Sequence, residues 1–167
     1  MLALVSAEAR ANTRLVIADG VSILMPRGFQ HTVTRPDEGA GGVTLFEVRD
    51  GPDALVVVIY RSSPGKDAKP ASQALEIHAA ELASRLGTST RVRREVSGLS
   101  LLGARRPTQH LQHTGRERVA WVVAAEVVGD GRAGGAGLTV VCSALYLPGS
   151  PNAAAFQRMA ESLMSSR

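Results

Sequence analysis

Ala54-Leu55-Val56-Val57-Val58-Ile59-Tyr60 is apolar or aromatic at every position. A strand with one wet face alternates apolar and polar residues. A short β-branched run that does not alternate belongs to a strand covered on both faces. The segment therefore predicts the centre of a sheet with material packed above and below it. Just upstream, Val43–Arg49 (VTLFEVR) does alternate, and Asp50-Gly51-Pro52-Asp53 supplies the turn between the two strands.

Two more long β-rich runs, Val119–Val128 and Leu138–Leu147, flank a glycine-rich stretch and read as a second extended hairpin. Near the start, Leu15–Ala18 and Val21–Met25 flank Asp19-Gly20. Such a pair accommodates the positive φ that a tight hairpin turn requires. Pro26-Arg27-Gly28 ends that second strand, and residues 34–42 read as a loop. Further strands are expected at Thr90–Val96 and around Ser100–Gln112.

Helical periodicity appears twice. Ala71, Leu75, Ala79, Leu82 and Leu86 recur at steps of three and four, with Pro70 at the first turn and Gly87 just past the end. Phe156, Met159, Ala160 and Leu163 form a second stripe, introduced by Ser150 as N-cap and Pro151 at the first helical position. The predicted architecture is α+β: an α/β/α sandwich around a mainly antiparallel sheet of about seven strands. Its 167 residues make one domain over 14–167, after an N-terminal extension at 1–13 read as a helical turn.

At 44% hydrophobic and 20% charged residues the chain is not disordered. No apolar run reaches the roughly 18 residues of a membrane span. One cysteine, Cys142, excludes an internal disulfide framework and a cysteine-rich zinc site. Its place in an aliphatic strand offers no neighbour to activate a thiolate, so a buried structural role is expected.

Seventeen of the 19 basic residues are arginine, and the formal net charge is +4. Between Arg85 and Arg118 eight arginines face two glutamates, a local excess larger than that of the whole chain. Alternation from Thr90 to Val96 puts Arg91, Arg93 and Glu95 on one face and Val92, Arg94 and Val96 on the other. Arg91, Arg93, Arg105 and Arg106 are the candidate binding residues, a basic patch for an acidic protein surface. No Phe, Tyr or Trp interrupts this stretch, so base stacking has no platform and no specific nucleic-acid module is indicated.

Other motifs carry little chemistry. Gly129-Asp130-Gly131-Arg132-Ala133-Gly134 matches G-x-G-x-x-G, but a strand follows it where a dinucleotide site needs a helix N-terminus. His110 and His113 are three apart on a strand, which sends their rings to opposite faces, and His31 and His78 stand alone. No paired carboxylates or nucleophile elbow appear, so no catalytic residue, cofactor or metal is assigned. The N-terminal segment has no basic n-region, which favours a cytoplasmic protein. Ala9-Arg10-Ala11 satisfies a small-x-small cleavage pattern, and the alternative is export, with a mature chain starting at Asn12.

Gly20-Val21-Ser22-Ile23-Leu24-Met25-Pro26-Arg27-Gly28-Phe29 resembles the opening strand, Pro-x-Gly and aromatic of the PsbP-like and DcrB-like superfamily. Leu101-Leu102-Gly103-Ala104 and the C-terminal helix continue the resemblance over residues 14–165. The superfamily includes photosystem accessory proteins, GTPase-binding proteins, exported lipoproteins and Eag-type chaperones of type VI effectors. The resemblance implies the same sandwich and a role in binding rather than catalysis. The expected function is a non-enzymatic bacterial adaptor or chaperone-like protein, its partner an acidic protein or a secreted effector. The alternative is an exported protein that binds a small ligand or lipid in an aliphatic cavity.

Overall fold

The computed structural model describes residues 4–8, 12–35, 42–63, 69–87, 89–113, 118–127 and 137–166. In chain order the elements are β1 (Leu4–Glu8), β2 (Thr13–Ala18), β3 (Val21–Met25), β4 (Gln30–Thr34), β5 (Val43–Asp50) and β6 (Asp53–Arg61). Then come α1 (Ala71–Leu86), β7 (Thr90–Glu95), β8 (Ser100–Leu101), β9 (Ala104–Arg105) and β10 (Thr108–His113). The last are β11 (Arg118–Val127), β12 (Leu138–Tyr146), α2 (Asn152–Glu161) and β13 (Met164–Ser165).

The main sheet is antiparallel throughout, in the order β1-β4-β5-β6-β12-β11-β10-β7. The all-apolar run at 54–60 lies in β6, inside the sheet: one face is fully buried, and on the other Val58 is buried while Ala54, Val56 and Tyr60 are half-buried. Leu55, Val57 and Ile59 join one core, while Val58 joins the other. β11 divides the same way: Trp121, Val123 and Ala125 point to the first core, and Ala120, Val122 and Ala124 to the second.

The sandwich expected from the sequence is present, with one compositional difference. Among the described residues one face carries a single element, α1. The other carries α2 together with a three-stranded sheet, β13-β3-β2. The Asp19-Gly20 hairpin forms as expected, with φ of 50° and 79° at its two turn residues. It lies in this small covering sheet rather than in the main one, because Ile17, Val21, Ile23 and Met25 bury toward α2. Its place in the main sheet is taken by β4, which the sequence does not announce. Gln30-His31-Thr32-Val33-Thr34 is too polar to read as a strand, yet it pairs with β5. Leu4–Glu8, read as part of a helical turn, is strand β1 against β4.

The segment 100–112 is likewise not one strand. Leu102 and Gly103 adopt φ of 51° and 79° and fold β8 back on β9, before β10 begins at Thr108. In α2 the helix ends at Glu161, and Leu163 is buried from the turn that follows.

Because neighbouring strands alternate in direction, β6 and β7 run parallel, and α1 is the crossover between them. A crossover that skips β12, β11 and β10 lays its helix over those three strands. No helix among the described residues covers the β4-β5-β6 half of the same face. Among the described residues, this path of the chain leaves β7 at one end of the main sheet, with β1 at the other, and a groove beside α1.

Candidate functional site

β7 ends the main sheet, and among the described residues no strand pairs with its outer side. Its sequence, Thr90-Arg91-Val92-Arg93-Arg94-Glu95, alternates as expected. Val92 lies opposite Leu111 and Arg94 opposite Gln109, on the face covered by α1. Arg91, Arg93 and Glu95 lie opposite Gln112, His110 and Thr108 on the other face.

Partners differ along this edge. Glu95 accepts from His110 Nε2 at 2.9 Å and lies 4.0 Å from the Arg93 guanidinium. On the α1 side, Glu76 accepts from Arg94 at 3.2 Å and from the Gln109 amide at 2.8 Å. The Arg91 guanidinium has no hydrogen bond or ion pair among the described residues. Arg91, Arg93 and Arg94 are all exposed. The edge also exposes apolar surface, with Val92 at 48% and Val96 at 87% of full accessibility.

Between β7, β10 and the first turns of α1 lies a cavity of about 290 Å³. Its apolar wall includes Ala71, Leu75, Val96, Pro107 and Ala124, and the Glu76–Arg94 pair stands at its side. It exists because α1 begins over β11, where Ala71 N–H donates to the Glu126 carboxylate. Ala71 and Ala124 are too small to close the gap to the edge strand.

Of the four arginines singled out from the sequence, Arg91 and Arg93 share a face of β7. Arg105 and Arg106 belong to the β8-β9 ribbon and the link after it, outside the main sheet. Their guanidinium groups donate to the carbonyls of Gly98 and Leu101, which ties them to the 98–106 loop. Arg94 and Glu76 are the edge residues that sequence reading leaves out. Alternation alone turns Arg94 away from Arg91 and Arg93, and only the packed helix brings Glu76 to it.

The other sequence candidates have structural settings. His110 faces Glu95, whereas His113 lies on the opposite face beside Gly87. His78 Nε2 and the Tyr60 hydroxyl are 2.6 Å apart. Burial holds His78 below its ordinary pKa, with Lys69 adding to the effect and Glu81 opposing it. Cys142 is fully buried, and burial pushes its thiol far above the ordinary range. The G-x-G-x-x-G string at 129–134 lies outside the described residues. Among the described residues no group of three metal-ligating side chains converges, and no helix is long and apolar enough to cross a membrane.

Fold and site together define a class: a three-layer α+β domain with an open, basic sheet edge. No protein-family model, curated protein or solved structure matches this chain.

Proposed function

We propose that this chain is a non-enzymatic binding protein, an adaptor or chaperone-like domain of the PsbP/DcrB-like type. Its partner adds an acidic, extended segment to β7 as a further strand. The observation that carries the reading is the unpaired edge of β7, with three exposed arginines and an apolar cavity beside it. Backbone groups on an open edge supply affinity to any extended chain, and side-chain pockets supply selection. Arginines also blunt edges against aggregation. A purely protective edge, however, has no need of an apolar cavity at its side.

The register sets the recognised pattern. Residues directly opposite each other on paired strands share a face. Acidic side chains at every second position of the partner would meet Arg91 and Arg93. The residues between them would lie on the Val92 face, one of them reaching the cavity past Val96. The favoured segment therefore alternates Asp or Glu with Val, Ile or Leu.

The test is fluorescence anisotropy with a labelled peptide of alternating glutamate and valine, against a peptide of the same composition with the two residue types in separate blocks. Tighter binding of the alternating peptide, weakened by salt and about tenfold weaker for Arg91→Glu/Arg93→Glu, is expected. Slowed amide exchange in residues 91–95 on binding marks strand addition. Equal binding of the two peptides, or no change in exchange at β7, overturns the reading.

A further inference from the structure

The half of the α1 face that the crossover leaves uncovered holds a second, larger groove of about 520 Å³. Its floor is aliphatic: Leu45 from β5, Val56 and Val58 from β6, and Leu145 from β12, with Leu82 of α1 as a side wall. Volumes of roughly 300–1,000 Å³ are those of small-molecule sites, which are mostly apolar with a few placed polar groups.

The polar groups are unevenly distributed. Cross-strand register places Arg49, Ala54, Leu145 and Ala120 in one row across the sheet, and Arg118 begins β11 just beyond that row. Three arginines, Arg49, Arg85 and Arg118, thus line the groove. Arg49 is paired with Glu47 and Arg85 with Glu81. Arg118 is half-buried, and its guanidinium has no hydrogen bond or ion pair among the described residues. The nearby Asp53 carboxylate feels its charge, but its oxygens already accept from Leu147, Ser150 and Asn152. A half-buried guanidinium with no carboxylate in ion-pair contact among the described residues is an open position for an anionic head group.

We propose that this groove binds a fatty acid, with the carboxylate on Arg118 and the alkyl chain along Leu45, Val56 and Val58 beside α1. An uncharged amphiphile leaves Arg118 unmatched, and a small hydrophilic anion leaves the aliphatic floor wet. The combination selects a ligand carrying both features. The groove lies on a different part of the sheet from β7, so its occupancy is independent of the peptide edge.

Displacement of a dansyl-labelled undecanoic acid tests the proposal, with oleate, oleyl alcohol and acetate as competitors. Saturable probe binding is expected, with displacement by oleate, displacement about tenfold weaker by the alcohol, and none by acetate. Arg118→Gln should weaken oleate about tenfold and leave the alcohol unchanged, and Arg118→Lys should restore part of the loss. Arg91→Glu/Arg93→Glu should leave oleate binding unchanged. If Arg118→Gln fails to fold, the ratio of oleate to alcohol affinity on the wild-type protein still decides. Absence of saturable binding, equal affinity for acid and alcohol, or an unchanged oleate affinity in folded Arg118→Gln overturns the proposal.

Discussion

The side-chain amide of Asn152 donates to the carboxylate of Asp53 at 2.9 Å, across 99 residues of chain. The same amide reaches Asp50 at 2.9 Å, and Asp53 also accepts from the Leu147 N–H at 3.1 Å and the Ser150 hydroxyl at 2.5 Å. Both Asp53 and Asn152 are buried. The cluster fixes the start of α2 against the start of β6, and so holds the second covering layer in place.

Replacing Asp53 with alanine would leave the Leu147 N–H and the Ser150 hydroxyl without their acceptor, while the Asn152 amide keeps Asp50. Each unmatched buried group costs about 1–3 kcal/mol. Asp53→Ala should therefore destabilise the fold by about 2 kcal/mol or more, seen as a lower urea midpoint. A midpoint within experimental error of the wild type would show that the cluster contributes little.

Acid should weaken the same cluster. Burial alone would raise the Asp53 pKa, but the Ser150, Asn152 and Leu147 hydrogen bonds and the Arg118 charge outweigh it and hold the carboxyl below its ordinary value of 3.8. A folded-state pKa lower than the unfolded one adds stability above the unfolded value and loses it as pH falls through the folded value. Urea midpoints should fall below about pH 4, and less of that fall should remain in Asp53→Asn.

His31 acts in a higher pH range. It is buried against Phe46, with ring centroids 5.5 Å apart, and its Nδ1 has no hydrogen-bond partner among the described residues. Burial lowers its pKa from 6.5. Below that value the unfolded chain takes up a proton that the folded chain resists, so stability declines as pH falls from 7 toward 5. His31→Phe should flatten this part of the curve, and a slope equal to the wild type's would assign it elsewhere.

Gly98 is held by packing rather than by its φ. A Cβ built there would overlap the Thr108 side chain, whose hydroxyl accepts from Leu99 N–H at 2.9 Å. Gly98→Ala should lower stability by about 1–3 kcal/mol through this overlap. Gly98→Ala/Thr108→Ala, which removes the hydroxyl and shortens the side chain, should not lose the sum of the two single losses.

Cys142 should resist alkylation in the native state. Full burial keeps it protonated and away from reagent. Its reaction with N-ethylmaleimide should follow global unfolding, rising with urea in parallel with the loss of structure. Rapid labelling in buffer would place the thiol at the surface.

Residues with a strong local period were legible from the sequence. The continuous apolar runs in β6, β11 and β12 required cover on both faces; residues 120–125 of β11 and 138–142 of β12 have it, whereas β6 is fully buried on one face and half-buried at Ala54, Val56 and Tyr60 on the other. The α1 stripe and the Asp19-Gly20 turn also rest on neighbours a few residues apart, which is the range over which sequence patterns act. β4 was hidden because its strand state depends on hydrogen bonding to β5, not on its own polar residues. The hairpin's place was hidden because its alternation specifies a buried face without specifying which partner buries it.

Sites divide in the same way. Alternation alone determined that Arg91 and Arg93 share a face and that His110 and His113 do not. Tertiary structure decided that β7 is an edge, that Glu76 reaches Arg94, and that Arg105 and Arg106 leave the sheet. It also decided that Arg118 stands beside an aliphatic groove. The physical reason is the path of one crossover. Side-chain direction along a strand follows from backbone geometry over two residues. Which strand ends the sheet, and which half of its face stays open, follows from where α1 lands after skipping three strands that all come later in the chain.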